Sequence, residues 1–125
     1  MNGNTYVAKC SKGRGVFAVK NFPNKFEILR SPVILVSTTV ANLEENLANY
    51  VFEWSKDSVA IVLGHGTLIN HSPDPNLDYY LDKEKLEIYF VTTRLINPNE
   101  ELTIDYGWCD FTIKPPEMGD QKKKA

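Results

Sequence analysis

In the amino-terminal half, apolar positions come in short runs broken by turn residues and lack helical spacing. Tyr6 to Lys9 and Val16 to Val19 flank Ser11-Lys-Gly-Arg-Gly15, where glycines can adopt the positive φ of a tight connection, and the pattern predicts a hairpin. After Asn21-Phe-Pro-Asn24, two extended pieces are predicted, Lys25 to Leu29 and Val33 to Val36, parted at Ser31-Pro32 because proline lacks an N–H and restricts the residue before it. From Val40 the period changes. Val40, Leu43, Leu47, Tyr50 and Val51 recur three and four apart, which predicts a helix with Thr38 or Thr39 as its cap.

The aromatic and β-branched run Tyr50 to Trp54 and the apolar Val59 to Leu63, parted by Ser55-Lys-Asp57, predict a second hairpin. Thr67-Leu-Ile-Asn-His71, bracketed by Gly64-His-Gly66 and Ser72-Pro-Asp-Pro-Asn76, is predicted as a short turn or helical loop. Leu77 to Leu81 and Glu87 to Thr92, joined through Asp82 to Lys85, form a predicted third hairpin; Asn97-Pro-Asn99 is a turn and Glu101 to Tyr106 a final strand. The segment 114–125 is polar, proline-bearing and charged, which predicts a disordered tail after one domain at 1–113. The periodicity predicts a mostly β fold, and by itself it suits a small barrel or a sandwich equally well.

Composition narrows the class. A chain of 125 residues with 42% hydrophobic residues can build one core. Its apolar runs are far shorter than the roughly 20 residues of a membrane-spanning helix, and Met1 to Thr5 lacks the features of a signal peptide, so a soluble intracellular protein is expected. Cys10 and Cys109 stand at opposite ends with no clustered Cys/His set, which argues against a disulfide framework or a zinc site and leaves two free thiols as the expectation. The net charge of −2 includes three tail cations, Lys122 to Lys124, so the remainder is more acidic still. Such a body favours a basic partner over a nucleic-acid backbone.

Three segments attract attention, and each taken singly has an ordinary structural explanation. Lys12-Gly-Arg-Gly15 is too short for a dinucleotide fingerprint and is not a P-loop, so alone it is a turn. Asn70-His71-Ser72 suits the start of a loop, and Tyr106 before Gly107 suits a core aromatic whose hydroxyl finds a partner. Together, however, Gly-Arg-Gly-Val-Phe-Ala from Gly13, Leu-Ile-Asn-His-Ser from Leu68 with Asp-Pro-Asn at 74–76, and Glu-Glu-Leu-Thr-Ile-Asp-Tyr-Gly from Glu100 resemble, in order and spacing, the SET-domain lysine methyltransferases. The resemblance spans roughly Tyr6 to Phe111. Brevity, the segment Asn49 to Glu53 and the lack of a cysteine-rich tail make it most similar to the minimal viral SET enzymes.

That resemblance implies a fold of several small β-sheets with short helices and a pseudoknot-like threading of the carboxy-terminal segment. It implies methyl transfer from S-adenosylmethionine, with S-adenosylhomocysteine as product, onto a lysine of a basic protein such as a histone tail. Carried over residue by residue, Lys12, Gly13 and Arg14 match the loop at the methionine part of the cofactor, where glycine lets backbone approach the ligand. Asn70 and His71 match the pair holding its amino-acid and adenosine portions, and Phe111 falls where an aromatic stacks on adenine. Tyr106 matches the catalytic tyrosine, and Tyr50 an aromatic beside the cofactor that also lines the lysine channel. Ile104 matches a position that sets how many methyl groups are added; without a hydroxyl there, di- or trimethylation is expected. The acidic residues Asp74, Asp78, Asp82, Glu84 and Glu87 are candidates for drawing in a basic peptide.

Three alternatives frame these expectations. A catalytically weak SET-like module would bind cofactor and peptide without turnover, and a Cys-His hydrolase would use Cys109 or Cys10 with His71, though no flanking sequence supports it. A minimal domain without flanking segments could complete its site as a homodimer. Neither a metal nor a membrane is expected to take part.

Overall fold

The computed structural model describes residues 3–39 and 51–105. Along them run β1 (Thr5–Cys10), β2 (Gly13–Ala18), β3 (Glu27–Ser37), β4 (Val51–Glu53), β5 (Ser58–Val62), a 3-10 turn (Gly64–Leu68), β6 (Asn70–His71), β7 (Leu77–Asp82), β8 (Glu87–Thr92) and β9 (Glu101–Ile104). The strands form a four-stranded sheet in the order β1-β2-β9-β6 and a five-stranded sheet in the order β4-β5-β3-β8-β7. The architecture is mostly β, built of small sheets, as expected. The helix expected from Val40, the segment from Tyr106 onward with the expected threading, and the tail at 114–125 lie outside the described residues.

The three expected hairpins form, with one change of boundary. Strands β1 and β2 pair from Thr5↔Ala18 to Cys10↔Gly13, so the connection is only Ser11-Lys12, and Gly13, Arg14 and Gly15 are strand residues rather than loop. Gly13 takes φ of 105°, a value that L side chains rarely adopt, and this permits the two-residue turn. Strands β4 and β5 pair from Val51↔Ile61 to Glu53↔Val59, and β7 and β8 from Leu77↔Thr92 to Asp82↔Glu87.

The two pieces expected on either side of Ser31-Pro32 are one strand. Residues Glu27 to Pro32 of β3 pair with β8, and Val33 to Ser37 pair with β5. Pro32 therefore stands where the strand exchanges one neighbour for another, the place in a ladder where a missing N–H does least harm, and its carbonyl accepts from the Leu63 N–H at 3.0 Å.

One apolar core joins the sheets: Val16, Ala18, Leu102 and Ile104 of the first meet Ile28, Ile88 and Phe90 of the second. Phe52 packs edge-on to Tyr79 and Phe90 with ring centroids 5.1 and 6.2 Å apart, the arrangement that the ring quadrupoles favour. Among the described residues, Asn76, 2% exposed, is one of the polar side chains buried with it, as are Thr92 and Glu53.

The outer face of β3, β8 and β7 carries an ionic cluster. The Arg30 guanidinium lies 4.3 Å above the Tyr89 ring and reaches Glu27 and Glu87 at 2.9 Å and Asp82 at 3.1 Å. Its hydrogen bond holds the Glu27 carboxyl below the usual carboxylate range. Asp82 is lowered as well, first by the Lys85 backbone N–H and then by Arg30. A depressed carboxylate pKa stabilises the fold above the unfolded-state value and ceases to do so as pH falls through the folded-state value. Arg30→Met, which keeps a stem on Tyr89, is therefore expected to cost on the order of 1 kcal/mol at pH 7 and progressively less below about pH 4. Urea unfolding of both proteins at pH 7 and pH 3 checks this; a difference that persists undiminished at pH 3 contradicts it.

Candidate active site

Strand β9 gathers the three segments that stood out in the sequence. It pairs antiparallel with β2 at Val16↔Leu102 and Phe17↔Glu101, and parallel with β6 at Asn70↔Thr103 and His71↔Ile104. The parallel pair needs no neighbouring sequence, only the long connection through β7 and β8, so local pattern could not reveal it. It sets the Asn70-His71 dipeptide beside the Gly13-Arg14-Gly15 edge.

Side chains then brace the junction. The Asn70 amide donates to the Arg14 carbonyl and to Glu101 Oε2, both at 2.8 Å. Lys12 Nζ donates to the His71 carbonyl at 3.2 Å, and the Ser72 N–H donates to the Ile104 carbonyl at 2.9 Å. His71 Nδ1 stands 3.8 Å from Asp105 Oδ1, a contact that becomes an ion pair when the imidazole is protonated. Of the expected site residues, Lys12, Gly13, Arg14, Asn70 and His71 come together here. Ile104 is 1% exposed and packs in the apolar core beside them. Tyr50, Tyr106 and Phe111 lie outside the described residues; Tyr106 follows Asp105 directly in the chain.

Gly15 is required by crowding from within the protein. A Cβ there would stand 2.5 Å from Glu101 Oε2 and 3.2 Å from both Asn70 Nδ2 and Cys10 Sγ. At Gly13 a Cβ would meet nothing within 4 Å, so its φ alone demands glycine.

The donor set suits the amino-acid end of a ligand that carries an ammonium and a carboxylate. Both Asn70 amide hydrogens are committed inside the protein, which leaves its Oδ1 as an acceptor for an ammonium. Lys12, at the turn, offers a cation for a carboxylate. The acidic residues from Asp74 to Glu87 are not a uniform free surface: Asp82 and Glu87 are engaged by Arg30, and Asp74 lies 3.9 Å from Arg94.

Two polar residues gained roles that sequence reasoning had not assigned. Glu101 braces Asn70, and Asn76 braces β9: Asn76 Nδ2 donates to the Glu101 carbonyl at 2.9 Å and Oδ1 accepts from the Thr103 N–H at 2.8 Å. Both stood inside noticed motifs, at 74–76 and 100–107, yet only burial and register expose what they do.

Comparison with known proteins identifies the family and relatives of this chain. The family model for the SET domain matches residues 13–107. A histone-lysine N-methyltransferase of Schizosaccharomyces pombe, specific for H3 lysine-37, is 36% identical over 99 residues, 77% of this chain and 67% of its own. Among solved structures, a candidate histone methyltransferase of Plasmodium falciparum superposes with a TM-score of 0.71 at 25% identity, covering 86% of this chain and 96% of its own. No helix among the described residues is long and apolar enough to cross a membrane.

Asn76 offers a direct test of how β9 is held. Asn76→Ala removes both bonds and leaves the buried Thr103 N–H and the partly buried Glu101 carbonyl without this partner, so it is expected to destabilise the fold by about 3 kcal/mol. Denaturant unfolding measures the loss; a change below about 1 kcal/mol, the ordinary effect of a point substitution, would show that β9 does not depend on this amide.

Proposed function

This chain belongs to the SET-domain family, and on that premise we propose that it is a protein-lysine N-methyltransferase whose substrate is a lysine-bearing basic protein, a histone tail being the leading candidate. The observation that carries the reading is the convergence of Lys12, Arg14, Asn70 and His71 around β9 immediately before Tyr106 in the chain. Proteins of this family use S-adenosylmethionine, whose sulfonium supplies the methyl group when bound. The substrates named for the similar proteins, a histone lysine for one and a histone for the other, support the choice of a basic partner.

Lys12, Gly13 and Arg14, with Asn70 and His71, would hold the amino-acid and adenosine portions of the cofactor, Phe111 is the candidate for stacking on the adenine, and Asn70 Oδ1 would accept from the ammonium. Transfer requires the target lysine nitrogen to be neutral, in line and near contact, so most of the catalytic effect is positional. An unperturbed lysine has pKa of about 10.4 and must lose its proton first; a desolvated aromatic channel beside a cation lowers that value. On this reading Tyr50 would line this channel, Ile104 would bound it from within the apolar core, and the Tyr106 hydroxyl would orient the nitrogen. The hydroxyl-free Ile104 leaves the product amine unrestrained, which favours di- or trimethylation.

Transfer of labelled methyl groups to mixed histones and to a cell lysate tests the proposal, with Tyr106→Phe alongside. Labelled protein lysine is expected, reduced on the order of 10²-fold in the variant, while calorimetry shows that S-adenosylhomocysteine still binds. Cofactor binding without any labelled protein would instead favour a non-catalytic binding module, and undiminished labelling by the variant would remove Tyr106 from the mechanism.

A further inference from the structure

We propose that Glu101 is a positioning residue for cofactor binding: by accepting one amide hydrogen of Asn70, its carboxylate fixes that amide with Oδ1 facing the ligand. The inference rests on the reading of Asn70 as a cofactor-holding residue.

An asparagine amide has two orientations of nearly equal shape, and its partners decide which is adopted. Here two acceptors, the Arg14 carbonyl and Glu101 Oε2, each lie 2.8 Å from Nδ2. Rotation by half a turn would press Oδ1 against a carbonyl and a carboxylate. The bond to an ionised acceptor is about twice as strong as a neutral one, so Glu101 contributes the larger part of the bias. The ligand's demand is matched to it, because an ammonium offers only donors and the reversed amide would meet it with more donors.

Glu101 is itself held on several sides. Its backbone is fixed by the Phe17↔Glu101 pairing and by the bond from Asn76 Nδ2 to its carbonyl at 2.9 Å. The absence of a side chain at Gly15 admits the carboxylate, since a Cβ there would stand 2.5 Å from Oε2. The Cys10 thiol, 3.9 Å from Oε2 and 3.7 Å from Asn70 Nδ2, closes another side. The Gly15 position in the first motif and the Glu101 position in the last thus serve one amide in the middle motif.

Titration calorimetry of the whole chain with S-adenosylhomocysteine decides the matter. Glu101→Ala is expected to weaken binding roughly tenfold, and Glu101→Gln, whose carbonyl can accept the same hydrogen, to recover most of that. In methyl transfer, KM for the cofactor rises while kcat at saturating cofactor holds. The double variant Asn70→Ala, Glu101→Ala loses no more than Asn70→Ala alone, a non-additivity that a merely structural role would not produce. Should Glu101→Ala fail to fold, Gly15→Ala displaces the carboxylate and is expected to weaken binding to a similar degree. Parent-like affinity in Glu101→Ala, no recovery in Glu101→Gln, or additive losses would each overturn the inference. Asn70→Ala with parent-like affinity would instead remove the reading of Asn70 on which it stands.

Discussion

The buried amide of Asn76 holds β9 through the backbone of Glu101 on one side and Thr103 on the other, and the site follows from where β9 runs. A strand of four residues has little pairing energy of its own. Side-chain period is two, so a slip of one position would turn the apolar Leu102 and Ile104 out of the core. The amide is satisfied in one register only. Its own backbone carbonyl accepts from the Thr93 N–H at 2.9 Å, which ties the same point to the end of β8. A buried polar group, destabilising if left unpaired, thereby becomes the element that specifies the alignment.

Long strand β3 supplies the second constraint. By pairing first with β8 and then with β5 it ties hairpins that are distant in sequence into one sheet, whose inner face meets the β2 and β9 side chains in a common core. Arg30 works on the other face of that strand, where three carboxylates and an aromatic ring span β3, β8 and β7. Inner packing and outer charge therefore favour the same alignment of the same three strands, the agreement between levels that marks a well-specified fold.

What the sequence made legible was local. Short runs at Tyr6 to Lys9, Val59 to Leu63 and Leu77 to Leu81, bounded by turn residues, marked the hairpins, because each strand pairs with its neighbour in the chain. Ser31-Pro32 misled for a physical reason: a proline ordinarily ends a strand, and the exchange of partners that accommodates it is a tertiary event. Gly13-Arg14-Gly15 was taken as loop because glycines mark turns, whereas at Gly15 the deciding factor was the Glu101 carboxylate from 86 positions away in the chain. The motif match pointed to Asn70 and His71, and the structure does bring them to Lys12 and Arg14. Roles that depend on burial, such as those of Asn76 and Glu101, have no period to betray them.

Methyl transfer by positioning requires a rigid frame, and β6, with two residues, cannot provide one alone. Its rigidity is borrowed: Asn70 is tied to Arg14 and Glu101, His71 is tied by its carbonyl to Lys12, and Ser72 to Ile104. These partners lie 31 to 59 positions from Asn70 and His71, so each tie closes a long loop whose entropy is lost before the contact forms. No piece of the site can then persist in the unfolded chain. A ligand that needs the assembled junction binds only the native state, and in doing so stabilises by mass action the very strand pairing that creates its site.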